Sequence, residues 1–322
     1  GTARVVAVAT SLPFATVLAT TGVLLFLTTG LTEDSLRDPV FVRDALILGT
    51  AAAMTAVTAT RMAGPAADTV ERLVRIEELA GILGLALVAA FFRPHAGVSW
   101  QLPGTAWLFL TVGLGATLGV LVYGILLRAA NDAEFIALTL GSVSLVAGIA
   151  GYLHLSSVVV AFFVGAMLAN IPGSPKEKLG VALFRLERPI YLVSLFVIGA
   201  LWDVSDWRGW VLVPVFAGAR LAGKWLAVRF GLPGSGLLLP SEARSALVFS
   251  PIGPLAIAIV VNAELLYPGG SISRIVSGVI GGAVLTEIVV QYRNRRSRES
   301  LAQVLPAPSV QTDERSASGG AG

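Results

Sequence analysis

The sequence predicts an all-α polytopic membrane protein of about ten transmembrane helices, two of them broken and crossing. Three observations carry that prediction. The 322-residue chain is 55% hydrophobic and only 13% charged, with mean hydropathy +0.80, whereas a soluble domain carries about a quarter charged residues. Apolar stretches long enough to cross a bilayer recur from end to end. Two of those stretches are interrupted by residues that helices tolerate poorly. The chain has no cysteine, which excludes a disulfide, a thiolate metal site and a thiol nucleophile. His95 and His154 fall in predicted loops without metal-ligand spacing, and no nucleic-acid partner is expected from a net charge of +3.

The spans are laid over residues 4–30, 40–63, 69–92, 104–128, 133–152, 155–171, 187–202, 208–229, 245–266 and 271–292. Only HLSS separates the fifth from the sixth. Between the sixth and seventh, the basic stretch PGSPKEKLGVALFRLERP fits an interfacial segment better than a span. Basic residues support the layout. One side of the membrane receives Arg4, Arg61, Arg72, Arg75, Arg128, Lys176, Lys178, Arg185, Arg188, Arg229, Arg244 and the cluster Arg293, Arg295, Arg296 and Arg298. The other receives Arg37, Arg43, Arg93, Arg208 and Arg274. By the positive-inside rule, both ends of the chain are cytoplasmic, in a cell membrane that the protein crosses many times. Residues 1–300 form the membrane domain, and the polar, aperiodic 301–322 is expected to be a disordered cytoplasmic tail.

The second span contains LGTAAAMTAVTATRMAG, a run of small and hydroxyl residues with weak helix preference, with its break expected around Thr55 and Thr58. The ninth contains VFSPIGPLAIAIVVN, with Pro251, Gly253 and Pro254 in mid-span. Freed backbone groups need partners in lipid, so broken helices persist only where they line a cavity. Interrupted spans in corresponding places of two halves point to an inverted repeat around a transport site. Spans one to three and eight to ten are the candidate halves.

Ionisable residues mark where such a site lies. RIEELAG places Glu77 and Glu78 in the third span, and AGARLAGKWLAV places Arg220 and Lys224 one turn apart on one face of the eighth. A charge in mid-membrane costs on the order of 3 kcal/mol, so such groups face a partner or a wet cavity. Successive helical residues diverge by about 100°, so Glu77 and Glu78 cannot both face one partner. Plainer readings stand beside this one. The glutamates could be interfacial if the span starts later, and an Arg–Glu pair could simply lock two helices. GLG at 113–115 reads as helix-packing glycine in an apolar span, not a phosphate loop.

Taken in order, these segments resemble the monovalent cation:proton antiporter superfamily, in its branch of bacterial sodium/hydrogen exchangers and Kef-type potassium efflux proteins. LGTAAAMTAVTATRM resembles the family's unwound helix, with Thr55 on its threonine. RIEELAGILGLALV stands where the family carries its Asp-Asp or Asn-Asp pair. LSSVVVAFFVGAMLAN is similar to its Ser-x-x-x-x-Ala-Phe-x-x-Gly helix, and LERPIYLVSLFVIGALWD to its Phe- and Gly-containing span ending in an acid. AGARLAGKWLAV puts Lys224 on the essential lysine, and SPIGPLAIAIVVN looks like the second broken helix. Two departures stand out: Glu-Glu replaces the aspartate pair, and Ala56 and Val57 follow Thr55 where a proline is usual.

The resemblance covers residues 10–292 and implies an inverted-repeat antiporter fold lacking about three N-terminal helices. It implies antiport of Na+ or K+ against protons, with no enzymatic activity and no cofactor. Glu77, Glu78 and Thr55 would bind cation and proton, and Lys224 with Arg220 would act as counter-charge. Its partners would be the transported ions, membrane lipid and, in the full-length protein, a second copy. A reading from another class stays open here: a non-transporting membrane scaffold or sensor subunit that kept the fold.

Overall fold

Lipid offers no hydrogen bonds, so an apolar run satisfies its backbone by coiling into a helix, and the chain does so wherever proline and polar caps allow. The computed structural model describes residues 38–56, 64–93, 102–202, 205–226, 228–229 and 239–304. The expected first span, Thr58 and the far half of the second span, His95 and the tail from residue 305 lie outside the described residues. Ten α-helices are found among the described residues: α1 (Pro39–Ala53), α2 (Ala67–Phe91), α3 (Gly104–Leu126), α4 (Asp132–Tyr152), α5 (Ser157–Asn170), α6 (Ser174–Leu201), α7 (Trp207–Leu226), α8 (Ser241–Val248), α9 (Pro254–Leu266) and α10 (Gly270–Val304). Among them, α3, α4 and the 271–292 part of α10 are long and apolar enough to cross a membrane.

Starts and stops follow local chemistry. Asp38 accepts from Val40 N at 2.9 Å to cap α1. At α4, Asn131 accepts from Glu134 N at 2.8 Å while Glu134 reaches back to Ala130 N at 2.9 Å, a reciprocal arrangement that satisfies two N–H groups. The α4–α5 turn expected at HLSS is closed by His154 in a left-handed conformation (φ 52°), which lets Leu155 N reach Ala150 O at 2.8 Å. One boundary differs from the sequence reading. The interfacial stretch and the seventh span are one continuous helix, α6, which runs through Pro189. A proline forfeits a single backbone donor, and the neighbouring turns carry the helix past it.

Packing divides into two main apolar clusters. Leu48, Met54, Leu85, Phe216, Ile259 and Ile275 join α1, α2, α7, α9 and α10. Trp107, Leu118, Phe135, Val146 and Leu168 join α3, α4 and α5. Within each cluster, glycines let helices close up. A Cβ at Gly278, Gly281 or Gly282 of α10 would collide with Leu212, Val213 or Phe216 of α7. Gly115, the second glycine of GLG, packs against Val160 O and Phe163 of α5, whereas Gly113 faces open space; the packing reading holds for one of the pair. Polar contacts bridge the clusters. Arg93, at the end of α2, lies 3.2 Å over the Trp107 ring and donates to Leu153 O at 2.7 Å. Ser156, the cap of α5, donates to Asn262 of α9 at 2.6 Å.

Candidate functional site

The candidate site forms where two helices stop. No proline ends α1 at Ala53. Met54 turns extended (φ −73°, ψ 140°), and the groups freed there find partners elsewhere in the protein. At α8, by contrast, the break is written in the chain, because Pro251 and Pro254 lack the N–H that a continuing helix needs. Pro254 then begins α9 at N1, where a missing donor costs nothing and φ is preset. The two breaks touch: Ala56 N donates to Pro251 O at 3.0 Å. Gly253 makes the approach possible, since a Cβ there would sit 3.3 Å from Thr55 O and 3.4 Å from Ala56 Cα. Gly253→Ala should therefore push the breaks apart by a few tenths of an ångström and slow any transport through them, with little loss of thermal stability. Unchanged exchange rates in the variant would show that this proximity is incidental.

Helix C-termini carry orphan carbonyls and a partial negative charge. Arg220, a fully buried residue of α7, answers both at once. Its guanidinium donates to Ala52 O at 3.1 Å and Met54 O at 2.9 Å on one side, and to Ser250 O at 2.7 Å on the other, with longer contacts of 3.4 Å to Ser250 Oγ and Pro251 O. The sequence reading made Arg220, with Lys224, a counter-charge; its hydrogen bonds go to the broken backbone. The planar fork of arginine suits several fixed acceptors in a way that a lysine ammonium does not.

One turn further, Lys224 is 6% exposed and Glu77 is 8% exposed, an uncommon depth for either type. Lys224 Nζ lies 2.5 Å from Glu77 Oε1 and 2.9 Å from Thr55 Oγ1. Ser250 Oγ stands 3.4 Å from the same threonine hydroxyl. The second carboxylate oxygen, Glu77 Oε2, is buried and has no hydrogen-bond partner among the described residues. Glu78, on the adjoining face of α2, is only half-buried. The structure thus brings Glu77, Lys224, Thr55, Arg220, Pro251 and Gly253 together and turns Glu78 aside. Among the described residues no group of three His, Cys, Asp or Glu could hold a metal ion. What the cluster offers is a carboxylate, hydroxyl oxygens and helix ends, hard donors of the kind alkali cations take, with an ammonium already seated among them.

Three residues inside the quoted segments were given no role of their own by the sequence reading. Ser250 belongs to the cluster, and its place immediately before Pro251 at a break was the available signal. Asn262 and Ser156 meet in a buried contact, and an asparagine inside the apolar run IAIVVNAELL was the sign to follow.

A search among curated proteins finds no match for the chain. The family model described as "Sodium/hydrogen exchanger, transmembrane" matches residues 4–292, which takes in both breaks, Glu77, Lys224 and every described helix but the end of α10. The chain belongs to the transmembrane sodium/hydrogen exchanger family.

Proposed function

We propose that this protein carries out secondary active antiport of a monovalent cation, Na+ or K+, against protons by alternating access. Members of the family are transporters and not enzymes, and cation:proton antiport is their general activity; the ion and the mechanism are the reading advanced here. The observation that carries it is the Lys224–Glu77 contact at the meeting of two helix breaks. A pair that served only to lock two helices would gain nothing from broken backbone beside it, nor from an unpaired carboxylate oxygen. In the proposed cycle the ammonium of Lys224 holds the site when no cation is bound. An arriving cation takes Glu77 and Thr55 as ligands and displaces it, while Glu78, on the adjoining face, takes up and releases a proton. Protonation of the carboxylates releases the cation on the other side of the membrane, and loss of those protons restores the pair. Proton and cation compete for the same oxygens, which is what couples their flows.

The architecture proposed with it has ten spans, spans one to three and eight to ten forming the inverted repeat, and assembles as a homodimer. Both ends face the cytoplasm, in the cell membrane. Ser318→Cys should then resist a membrane-impermeant thiol reagent in intact cells and react once the cells are lysed; labelling without lysis would overturn this topology. Function is tested with full-length protein in proteoliposomes that enclose a fluorescent pH probe. Addition of NaCl or KCl, but not choline chloride, should drive protons across the membrane. Silence with both cations would remove the antiport reading and leave a scaffold that keeps the fold.

A further inference from the structure

We propose that the groove between the start of α4 and the first half of α6 binds the headgroup of an aminophospholipid, one that carries a phosphate and a primary ammonium. The groove encloses about 260 Å3 and is lined by Asp132, Phe135, Ile136, Glu177, Lys178 and Arg185, among others. It has no part in the ion site.

Its depth in the membrane follows from helix geometry. α4 is an apolar span of 21 residues beginning at Asp132. At 1.5 Å per residue it covers about 31 Å, the thickness of the hydrocarbon core, so Asp132 stands at the edge of that core. The start of α6 is held at the same level from α3. Tyr123, near the end of α3, donates to Pro172 O at 3.1 Å. Gly173 then turns the chain into α6 with φ 150°, and a Cβ there would strike the Tyr123 hydroxyl. Only glycine serves that turn.

Charge identifies the occupant. Two carboxylates, an ammonium and a guanidinium surround the groove, yet the four make no ion pair with one another. A simple anion would satisfy Lys178 and Arg185 but meet Asp132 and Glu177 unfavourably. A zwitterion satisfies both signs, phosphate to the basic pair and ammonium to the acidic pair. Ionised carboxylates only accept hydrogen bonds, so they distinguish a primary ammonium, which donates, from a choline group, which cannot. Beside the charged residues, Val181 of α6, 55% exposed, lines the groove together with Phe135 and Ile136 of α4. They extend an apolar surface along which acyl chains can lie, as an amphipathic segment at an interface requires.

The test is competitive lipid retention on the delipidated full chain, read by native mass spectrometry. Phosphatidylethanolamine, phosphatidylcholine and phosphatidylglycerol with identical acyl chains are offered together. Ethanolamine lipid should be retained about tenfold over the other two, the ratio that one charge-assisted hydrogen bond confers. Asp132→Asn with Glu177→Gln should bring the ethanolamine-to-choline ratio close to one, and Lys178→Gln with Arg185→Gln should lower retention of all three. These residues are exposed, so size-exclusion profiles should not change, and Lys176→Gln, outside the groove, should leave the preference intact. Equal retention of ethanolamine and choline lipids would overturn the proposal. So would stronger retention of phosphatidylglycerol, a preference that survives both double variants, or soluble phosphoethanolamine displacing the lipid at equal concentration.

Discussion

Glu77→Gln combined with Glu78→Gln is expected to abolish cation-driven proton movement in proteoliposomes, a loss of at least about a hundredfold, because the amide keeps the size and hydrogen bonding of the acid but cannot take up and release a proton. The two single changes should separate. Glu78, half-buried and turned from Lys224, should lose exchange on conversion to Gln with little change in thermal stability. Glu77→Gln should also destabilise the fold, because it leaves the Lys224 ammonium buried without its carboxylate, a loss of about 3–5 kcal/mol for a broken buried pair. Adding Lys224→Met should return much of that stability while exchange stays silent, a non-additivity that a double-mutant cycle measures directly. Undiminished exchange in the Glu77→Gln/Glu78→Gln protein would sink the assignment of RIEELAG as the ion site.

Arg220 should give the largest loss of folded protein. Its three shorter hydrogen bonds, to Ala52 O, Met54 O and Ser250 O, satisfy carbonyls that no helix can satisfy once α1 and α8 have ended. Arg220→Met fills similar space but orphans all three, at about 1–3 kcal/mol each. It also removes a positive group placed against two negative helix ends. Lysine should recover only part of the loss, since a single ammonium cannot bridge acceptors on both sides of the crossing. Size-exclusion profiles of detergent extracts taken over a temperature series would report the effect. An Arg220→Met protein that melts within a degree or two of the parent would show that water or another donor already serves those carbonyls.

Much of this site was legible because charge in an apolar run is hard to hide. Glu77, Lys224 and Arg220 stand out in the sequence on cost alone. The one-turn spacing of Arg220 and Lys224 placed them on one face. The proline pair announced the break between α8 and α9. The break after Ala53 was read from a weak-propensity run and from resemblance, and the structure shows why it was faint: the partners that hold it open, Arg220 and Pro251 O, lie far along the chain. For the same reason the hydrogen-bond partners of Arg220 were not foreseen. Sequence marks a buried cation as needing a partner, and a carboxylate is the obvious one, but carbonyls freed by unwinding become visible only once the unwinding has been seen. The continuity of α6 escaped because a proline after a charged stretch reads as a boundary, when a long helix can carry one proline in its interior.

The two apolar clusters differ in what surrounds them. In α3 and α4, 28% of the membrane-crossing stretch is buried inside the protein, against 56% in α10. The α3–α4 pair therefore leans on acyl chains for most of its apolar contact, while α10 leans on α7 and its neighbours. Extraction into a short-chain detergent replaces those acyl chains with a thinner, more mobile shell, and the change falls mainly on α3 and α4. Their amides should exchange with deuterium sooner than those of α10 under such conditions. The half that holds Lys224 against Glu77 keeps its own internal support, so an extracted protein can look intact around its ion site after the rest has begun to loosen.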